Sequence, residues 1–447
     1  MLPALLSACR RYLSTHRLSM SSCLATNTSP SLPGPQDVSR FVLPNGVVVL
    51  VRANFNSPSV VVSGYLPAGS LGDPDDRLGL AMFVSNALMR GTEQRDFHQI
   101  HAALEDVAAS LSFGVTHHIV SFTGRALRED LSMLLDLLAE VLRRPIFPEE
   151  QIEKLRAQLL TALAIRAQDT AEMAGLTFDQ ILFNGHPYSR PTDGWPQTVQ
   201  AIQRADLLAF HRRYYGPRGL VLAVVGAVEA AEVLERVEHA LGDWQNPEQA
   251  ALPALPPFQP LARTIRKKVR LRDKAQSDLV VGTAGPRRND PDFMAASLGN
   301  SVLGQFGLAG RIGDSVREKA GLAYYAYSSL NSGPGPASWE ISAGVNPANV
   351  ARALQLIRRE IENFVNRGVS EEELADSQAN FIGRLPLSLE SNAGVASALL
   401  TIERFDLGLD YYLRYADLVR AVTPQEVLAV AQKYFDPHRL AIAIAGP

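Results

Sequence analysis

The chain has 447 residues, of which 46% are hydrophobic, and its formal net charge is −3. This length is too great for one ordinary domain, and two domains of about 200 residues fit it better. The balanced charge gives no basic surface for nucleic acid, and no apolar run reaches the roughly 18 residues of a membrane span. The two cysteines, Cys9 and Cys23, stand near the N-terminus, so the rest of the sequence contains no disulfide framework or thiolate metal site.

The first 36 residues differ in composition from the rest. They include several arginines and serines, and no acidic residue precedes Asp37. Three interpretations stay open: an organellar transit peptide over residues 1–24, a true start at Met20, or a disordered leader rich in Ser, Thr and Pro. We expect a cytoplasmic protein, or a mitochondrial one if residues 1–24 act as a transit peptide.

Strands and helices come in mixed runs through the first half. Asn45-Gly46 between two β-rich runs predicts a hairpin over 41–51. The almost wholly apolar stretch 79–92 predicts a buried helix that Gly91 and Thr92 end. The other predicted elements are a strand at 60–67, helices at 97–109, 129–143 and 148–166, two strands in 111–124 around His117-His118, and a turn-rich loop at 184–191.

An internal repeat organises the whole chain. Residues 201–226 and 421–446 align at an offset of 220 (421 − 201). The matched residues are Leu208, Ala209, Tyr214, Pro217, Leu220, Ala223 and Gly226 with Leu428, Ala429, Tyr434, Pro437, Leu440, Ala443 and Gly446. Each copy predicts a helix, a proline turn and a short buried strand.

The repeat predicts an α+β protein built from two homologous α/β domains. We place the domains at 37–245 and 263–447, after the leader 1–36, with a proline-rich linker at 246–262. A strand at 264–272 opens the second domain. Each domain should have a mostly antiparallel sheet with helices on one face, because strands and helices alternate with short hairpins.

The stretch Gly79 to Thr92 resembles the zinc helix of the insulinase/pitrilysin-type (M16) peptidases. That family has Gly-Leu-Ala-His-x-x-Glu-His-x-x-x-x-Gly-Thr at this point, with two zinc-binding histidines and a glutamate as general base. The corresponding residues here are Met82, Ser85 and Asn86, and none of them is a usual zinc ligand. The family's third ligand, a glutamate on a later helix, falls on Ala162.

The resemblance covers nearly everything from Ser39 onward and implies the M16/LuxS-like metallohydrolase fold, two similar α/β domains in each unit. In the family, two such units pair around a closed chamber. The histidines outside the motif show no metal-ligand spacing: His98, His101, His117 and His118 are expected at the surface or in caps, and His186 in a structural hydrogen bond.

A second motif of the family resembles the run from Asn300 to Tyr324. In the family an arginine and a tyrosine seven positions apart reach across the chamber to the zinc, and they correspond here to Arg317 and Tyr324. A guanidinium and a phenol can hold a substrate carbonyl and stabilise a developing oxyanion. The alternative is structural: Arg317 caps a helix C-terminus or pairs with Glu318 or Asp314, and Tyr324 or Tyr325 belongs to the core.

Two functions from different classes follow from the resemblance. The first is a zinc-free subunit of a heterodimeric M16 peptidase, with no cofactor of its own, whose zinc-bearing partner hydrolyses unfolded peptides. The second is a purely structural homologue, like the core subunits of the cytochrome bc1 complex. A third, the alpha subunit of the mitochondrial processing peptidase, rests only on the glycines of 304–310.

Overall fold

The computed structural model describes residues 32–305 and 310–447. One compact unit extends from Pro33 to Pro447, so it begins before the predicted domain start at Asp37. Pro33 and Gly34 are buried in it. Residues 1–31 of the predicted leader, with the alternative start and both cysteines, lie outside the described residues, as do residues 306–309 of the glycine-containing stretch.

The strands of the first half form a six-stranded sheet in the order β1-β2-β6-β3-β5-β4. Its strands are β1 Ser39–Val42, β2 Val48–Ala53, β3 Ser59–Leu66, β4 Ser110–Val115, β5 Val120–Leu127 and β6 Val221–Gly226. β2 and β6 are parallel, and the other neighbours are antiparallel. The predicted hairpin is present, because Val42 pairs with Val48 across the Asn45-Gly46 turn.

The second half repeats this arrangement in a five-stranded sheet with the order β7-β11-β8-β10-β9. Its strands are β7 Ile265–Arg270, β8 Ser277–Gly285, β9 Ala323–Asn331, β10 Ala337–Val345 and β11 Ala441–Gly446. Again one pair, β7 with β11, is parallel, and the others are antiparallel. Each strand of the second sheet therefore has a counterpart in the first sheet, and only β1 of the first sheet has no counterpart among the described strands of the second.

Helices connect the strands and cover the sheets. Those of the first half are α1 Leu80–Ala87, α2 Phe97–Glu105, α3 Leu131–Arg143, α4 Glu149–Arg166, α5 Thr170–Leu182, α6 Pro196–Ala201, α7 Arg204–Tyr214 and α8 Ala230–Leu241. Those of the second half are α9 Phe293–Asn300, α10 Val350–Arg367, α11 Glu371–Ser388, α12 Asn392–Arg404, α13 Tyr411–Arg420 and α14 Pro424–Tyr434. No helix within the described residues is long and apolar enough to cross a membrane.

The structure confirms the repeat. α7 and α14 begin at Arg204 and Pro424, and the strands that follow begin at Val221 and Ala441, so both pairs are 220 residues apart. Among the other predicted helices, 97–109 is shorter than expected and ends at Glu105. The chain turns there, since Ala108 adopts a left-handed φ of 51°.

Two helices cross between the halves. α5 belongs to the first half but packs on β8 and β11 of the second sheet, and α12 of the second half packs on β3 and β6 of the first. In β11, Ala441, Ala443 and Ala445 face α5, whereas Ile444 points to the core of its own half. Each sheet therefore has its own helices on one face, as predicted, and also binds one helix of the other half, which the sequence pattern does not indicate.

Candidate functional site

The helix α1 is positioned by a buried carboxylate. Asp73 accepts hydrogen bonds from the backbone N–H groups of Gly79, at 2.9 Å, and Ala81, at 2.8 Å, at the start of the helix. Burial raises the pKa of Asp73 to about 7, and the N–H bonds oppose that rise. Gly79 has a φ of 94°, and a Cβ there would lie 2.8 Å from the carbonyl oxygen of Asp193. The start of the helix thus requires a glycine.

The three motif positions on α1 differ in exposure. Met82 and Asn86, one turn apart on the same face, are partly exposed. Ser85 lies between them and is only 1% exposed, and its hydroxyl has no hydrogen-bond partner within the described part of the chain. The helix therefore keeps the frame of the zinc motif, with a thioether, a hydroxyl and an amide in place of the ligands and base.

The fourth position lies on α4, which packs against α1. Ala162 is exposed, whereas its neighbour Leu163 is buried in the core. The two helices are also tied by polar contacts, since Arg90, just after α1, donates to the side chain of Gln158 at 2.7 Å. The helix pair is thus intact without the carboxylate that would complete a metal site.

The donor set does not fit zinc. Zinc in proteins is bound by imidazole, thiolate or carboxylate groups. Within residues 32–305 and 310–447, no three His, Cys, Asp or Glu side chains are grouped so that they could hold a metal ion. Met82, Ser85, Asn86 and Ala162 offer none of these groups.

An edge strand lies beside this helix. β4 is the last strand of the first sheet and contacts α1. β9 is likewise the last strand of the second sheet. The outer edge of such a strand offers backbone N–H and C=O groups that an extended peptide can pair with.

Tyr324 lies near the start of that second edge strand, and Arg317 lies in the helical segment before it. Arg317 belongs to a short helical segment, Gly313–Lys319, and its side chain is 38% exposed and 3.5 Å from Glu318. Tyr324 stands near the start of β9 and is 82% exposed, so it is not a core residue. Its neighbour Tyr325 is partly buried, and its hydroxyl donates to Asp278. Both side chains of the predicted pair are therefore accessible to solvent.

The histidines at the β4–β5 turn are partly exposed and form hydrogen bonds within the protein. His117 donates to the carbonyl oxygen of Arg190 at 3.2 Å, and His118 is hydrogen-bonded to the hydroxyl of Tyr188. Burial lowers the pKa of His118 to about 4. His186 accepts from the backbone N–H of Tyr188 at 3.2 Å, the structural bond that was predicted.

A cavity of about 390 Å³ lies where these histidines meet the second half. Asp179 of α5 and Glu340 of β10 line it, together with Arg404 at the end of α12. Burial, and then the charge of Glu340, raises the pKa of Asp179 to about 8, and burial raises that of Glu340 too. The sequence reading missed this carboxyl pair, because its members are far apart in the chain and meet only through the crossing of α5.

Two family models match the chain. Residues 48–192 match the model described as insulinase (peptidase family M16), and residues 201–381 match the model described as peptidase M16 inactive domain. Together they cover most of both halves and meet near the end of the first one.

Individual proteins agree with the models. An uncharacterized zinc protease of Streptomyces coelicolor is 25% identical, over 98% of this chain and 96% of its own. Cytochrome b-c1 complex subunit 1 of Rattus norvegicus is 26% identical, over 59% of this chain and 55% of its own. A crystal structure of a peptidase M16 inactive domain from Pseudomonas fluorescens superposes with a TM-score of 0.85 and 25% identity, over 92% of this chain and 98% of that one.

Proposed function

Since the chain belongs to the M16 peptidase family, we propose that it is the zinc-free subunit of a two-chain M16 peptidase. A second M16 chain would supply the zinc and the general base. This chain would supply part of the chamber wall and the groups that hold the substrate. The substrates would be unfolded peptides.

The observation that carries this proposal is the joint loss of four positions on an intact frame. Met82, Ser85, Asn86 and Ala162 stand where the family has two histidines and two glutamates. The helices that bear them remain well packed, with Asp73 capping α1. A single substitution would weaken a metal site, whereas four remove every ligand and the base.

The accessible pair in the second half supports a role in holding the substrate. A guanidinium can donate two parallel hydrogen bonds, and a phenol one, to an oxygen that gains negative charge. Arg317 shares its charge with a half-exposed Glu318 at 3.5 Å, a surface contact that a substrate carbonyl can replace at small cost. Tyr324, 82% exposed, is free to reach outward.

The edges of the sheets suggest how the peptide would lie. An extended peptide that pairs with β4 would run beside α1, where the partly exposed Met82 and Asn86 lie. Backbone pairing is independent of side chains, so it suits a mixture of unfolded sequences.

We further propose that the protein acts in the cytoplasm, as its likeness to bacterial zinc proteases suggests.

The second candidate is a structural subunit without a role in proteolysis. It is favoured by the likeness to cytochrome b-c1 complex subunit 1, which covers 59% of this chain. The two candidates differ in whether Arg317 and Tyr324 affect a reaction.

One experiment separates them. The chain is co-expressed with an M16 protein of the same organism that has an intact His-x-x-Glu-His motif, and peptide hydrolysis is measured for each chain and for the mixture. The proposal expects a stable heterodimer that cleaves unstructured peptides faster than either chain alone. A heterodimer no faster than the zinc-bearing chain alone would favour the structural role, and the absence of any heterodimer would refute both subunit pairing and this proposal.

A further inference from the structure

A second cavity, of about 650 Å³, lies in the second half between α9, α11 and α13. This size is typical of a site for a small ligand or a chain end. Its described lining is mostly aromatic and apolar, and it also contains two arginines, Ser297, Gln305 and Ser388 but no acidic residue. The lining includes Arg288, Phe293, Phe381, Leu387, Tyr411 and Tyr412.

The helices around this cavity are the counterparts of the zinc-motif helices. α9 follows β8 as α1 follows β3, and α11 has the same 18-residue length as α4 and begins 222 residues later (371 − 149). By the same offset, Leu387 corresponds to Ile165, and both are largely exposed, at 66% and 68%. The cavity therefore occupies in the second half the place that the altered zinc frame occupies in the first.

Arg288 is held in this cavity by aromatic rings instead of a carboxylate. Its guanidinium carbon lies 4.1 Å from the ring centre of Phe293 and 5.4 Å from that of Tyr411, and it donates to the Tyr411 hydroxyl at 3.0 Å. Across the described residues, no carboxylate oxygen comes within ion-pair distance of it. Aromatic faces orient a guanidinium without neutralising its charge, so donors remain for an anion.

The other residues of the cavity indicate which chemical groups the ligand carries besides the one that binds Arg288. Leu387 and Phe381 add apolar surface to the same cavity. Burial raises the pKa of Tyr412 to about 12, so this phenol stays neutral and adds no negative charge. A charged arginine next to an apolar wall complements a carboxylate attached to an apolar group, because a planar guanidinium binds a carboxylate through two parallel hydrogen bonds.

We propose that this cavity binds the C-terminal end of a peptide, with Arg288 on the terminal carboxylate and Leu387 and Phe381 against the last side chains. The choice of a peptide rests on the proposed function, in which unfolded peptides are the substrates. The cavity would then anchor one end of the substrate away from the reacting bond. A fatty acid offers the same chemistry, and the test distinguishes the two.

The test measures binding to the purified full-length chain by fluorescence anisotropy. The probe is a ten-residue peptide that ends in two leucines and carries an N-terminal fluorophore, with either a free carboxylate or a carboxamide at its C-terminus. We expect the carboxamide to bind at least about tenfold more weakly, because it lacks the charge that pairs with the guanidinium. Equal affinity of the two probes would overturn the proposal.

Two variants locate the site. Arg288→Gln should bind the free-carboxylate probe at least about tenfold more weakly. Leu387→Asp should do the same, and because this side chain is exposed, the change leaves folding intact. The matched controls are Ile165→Asp at the equivalent exposed position of α4, and Arg420→Gln on α13, an exposed arginine that pairs with Asp417. Wild-type affinity in Leu387→Asp, or equal weakening in Ile165→Asp, would contradict the assignment.

A competition with decanoate distinguishes the source of the carboxylate. Decanoate should displace the peptide only at concentrations well above the peptide's Kd, and displacement below that Kd would assign the cavity to fatty acids and overturn the peptide proposal. The measurement needs no partner chain and no activity. A failure here would therefore leave the heterodimer assay untouched, and a failure of the heterodimer assay would leave this binding measurable.

Discussion

The guanidinium of Arg156 lies over the ring of Phe83, 5.3 Å from its centre. Arg156 is on α4 and Phe83 on α1, so this contact joins the two helices that carry the altered zinc frame. Arg156 is buried, donates to the carbonyl oxygen of Val199 at 2.7 Å, and pairs with Glu153 on its own helix. The contact helps to fix the relative position of α1 and α4.

A fixed helix pair should accept a rebuilt metal site. We predict that the triple variant Met82→His, Asn86→His, Ala162→Glu binds zinc, because all three positions are at least partly exposed and the frame is in place. Adding Ser85→Glu should cost about 1–3 kcal/mol of folding free energy, since that position is buried and a larger side chain overpacks it. Zinc content by elemental analysis after purification without chelator gives the result.

The control for the triple variant keeps both new histidines and places the new glutamate at position 164 of α4 in place of position 162. Ala164 is also exposed on α4, but two residues along a helix is about 200° around its axis. The variant with Ala164→Glu in place of Ala162→Glu should therefore hold zinc more weakly. Zinc uptake by the control and none by the first variant would mean that the register assigned to α4 is wrong.

The buried hydroxyl of Ser85 predicts a stabilising substitution. An unpaired hydroxyl in the core costs about 1–3 kcal/mol, so Ser85→Ala should leave stability unchanged or raise it by up to about 1 kcal/mol. Ser328 is the matched control: it is equally buried, but its hydroxyl donates to the carbonyl oxygen of Asn300 at 3.1 Å. Ser328→Ala should lose about 1 kcal/mol, as judged by urea unfolding. A loss in Ser85→Ala as large as in the control would show that the Ser85 hydroxyl is paired.

The exposed pair in the second half should affect turnover and not assembly. In a reconstituted heterodimer, Arg317→Ala or Tyr324→Phe should lower turnover by about 10²–10³, as the loss of one oxyanion donor does. Arg317→Lys should rescue only in part, because an ammonium lacks the planar fork. Turnover, melting temperature and zinc content are measured on the same preparations.

The structural alternative gives the reverse result. If the Arg317–Glu318 contact serves only the fold, its loss changes melting temperature or pairing while turnover per heterodimer stays near wild type. Arg358→Ala, which removes an exposed arginine paired with Glu362, is a control that should change neither quantity. Near-normal turnover in both Arg317→Ala and Tyr324→Phe would support the structural candidate.

The buried carboxyl of Asp179 makes stability depend on pH. In the folded protein the Asp179 carboxyl keeps its proton up to about pH 8, whereas in the unfolded chain the same carboxyl releases it near pH 4. The unfolded state therefore binds fewer protons in this window, and stability falls as pH rises through it. Asp179→Asn should raise the melting temperature, with a gain that grows from pH 5 to pH 8. The control Asp376→Asn, at an exposed aspartate of α11, should show no such trend. If the gain in melting temperature of Asp179→Asn is the same at pH 5 and pH 8, Asp179 is already ionised at pH 5.

The local part of the fold could be predicted from the sequence. The turn at Asn45-Gly46, the apolar run after Gly79 and the 220-residue repeat each depend on neighbours in the chain, and each is present in the structure. The loss of the zinc ligands could also be recognised, because the motif is contiguous and the flanking residues hold its register.

Contacts between distant residues could not be predicted. His117 and His118 have the pattern of turn or surface residues, yet their partners, Arg190 and Tyr188, lie about 70 residues away. The sequence pattern alone also could not decide which of Tyr324 and Tyr325 is the more buried, because the two are adjacent and both are aromatic. The structure shows that Tyr324 is 82% exposed, whereas Tyr325 is partly buried and donates to Asp278.

Because α5 and α12 cross between the halves, each half covers apolar surface of the other. Without α5, the alanine face of β11 would be exposed to water, and without α12 the face of the first sheet that bears Val61 would be. Neither half produced alone should then be monodisperse, whereas two fragments cut within the stretch 251–261, which has no helix or strand, should reassemble when co-expressed. In a duplicated protein that exchanges helices in this way, each half needs the other in order to fold. One half can therefore lose its catalytic residues and still be retained, because the other half depends on it for folding.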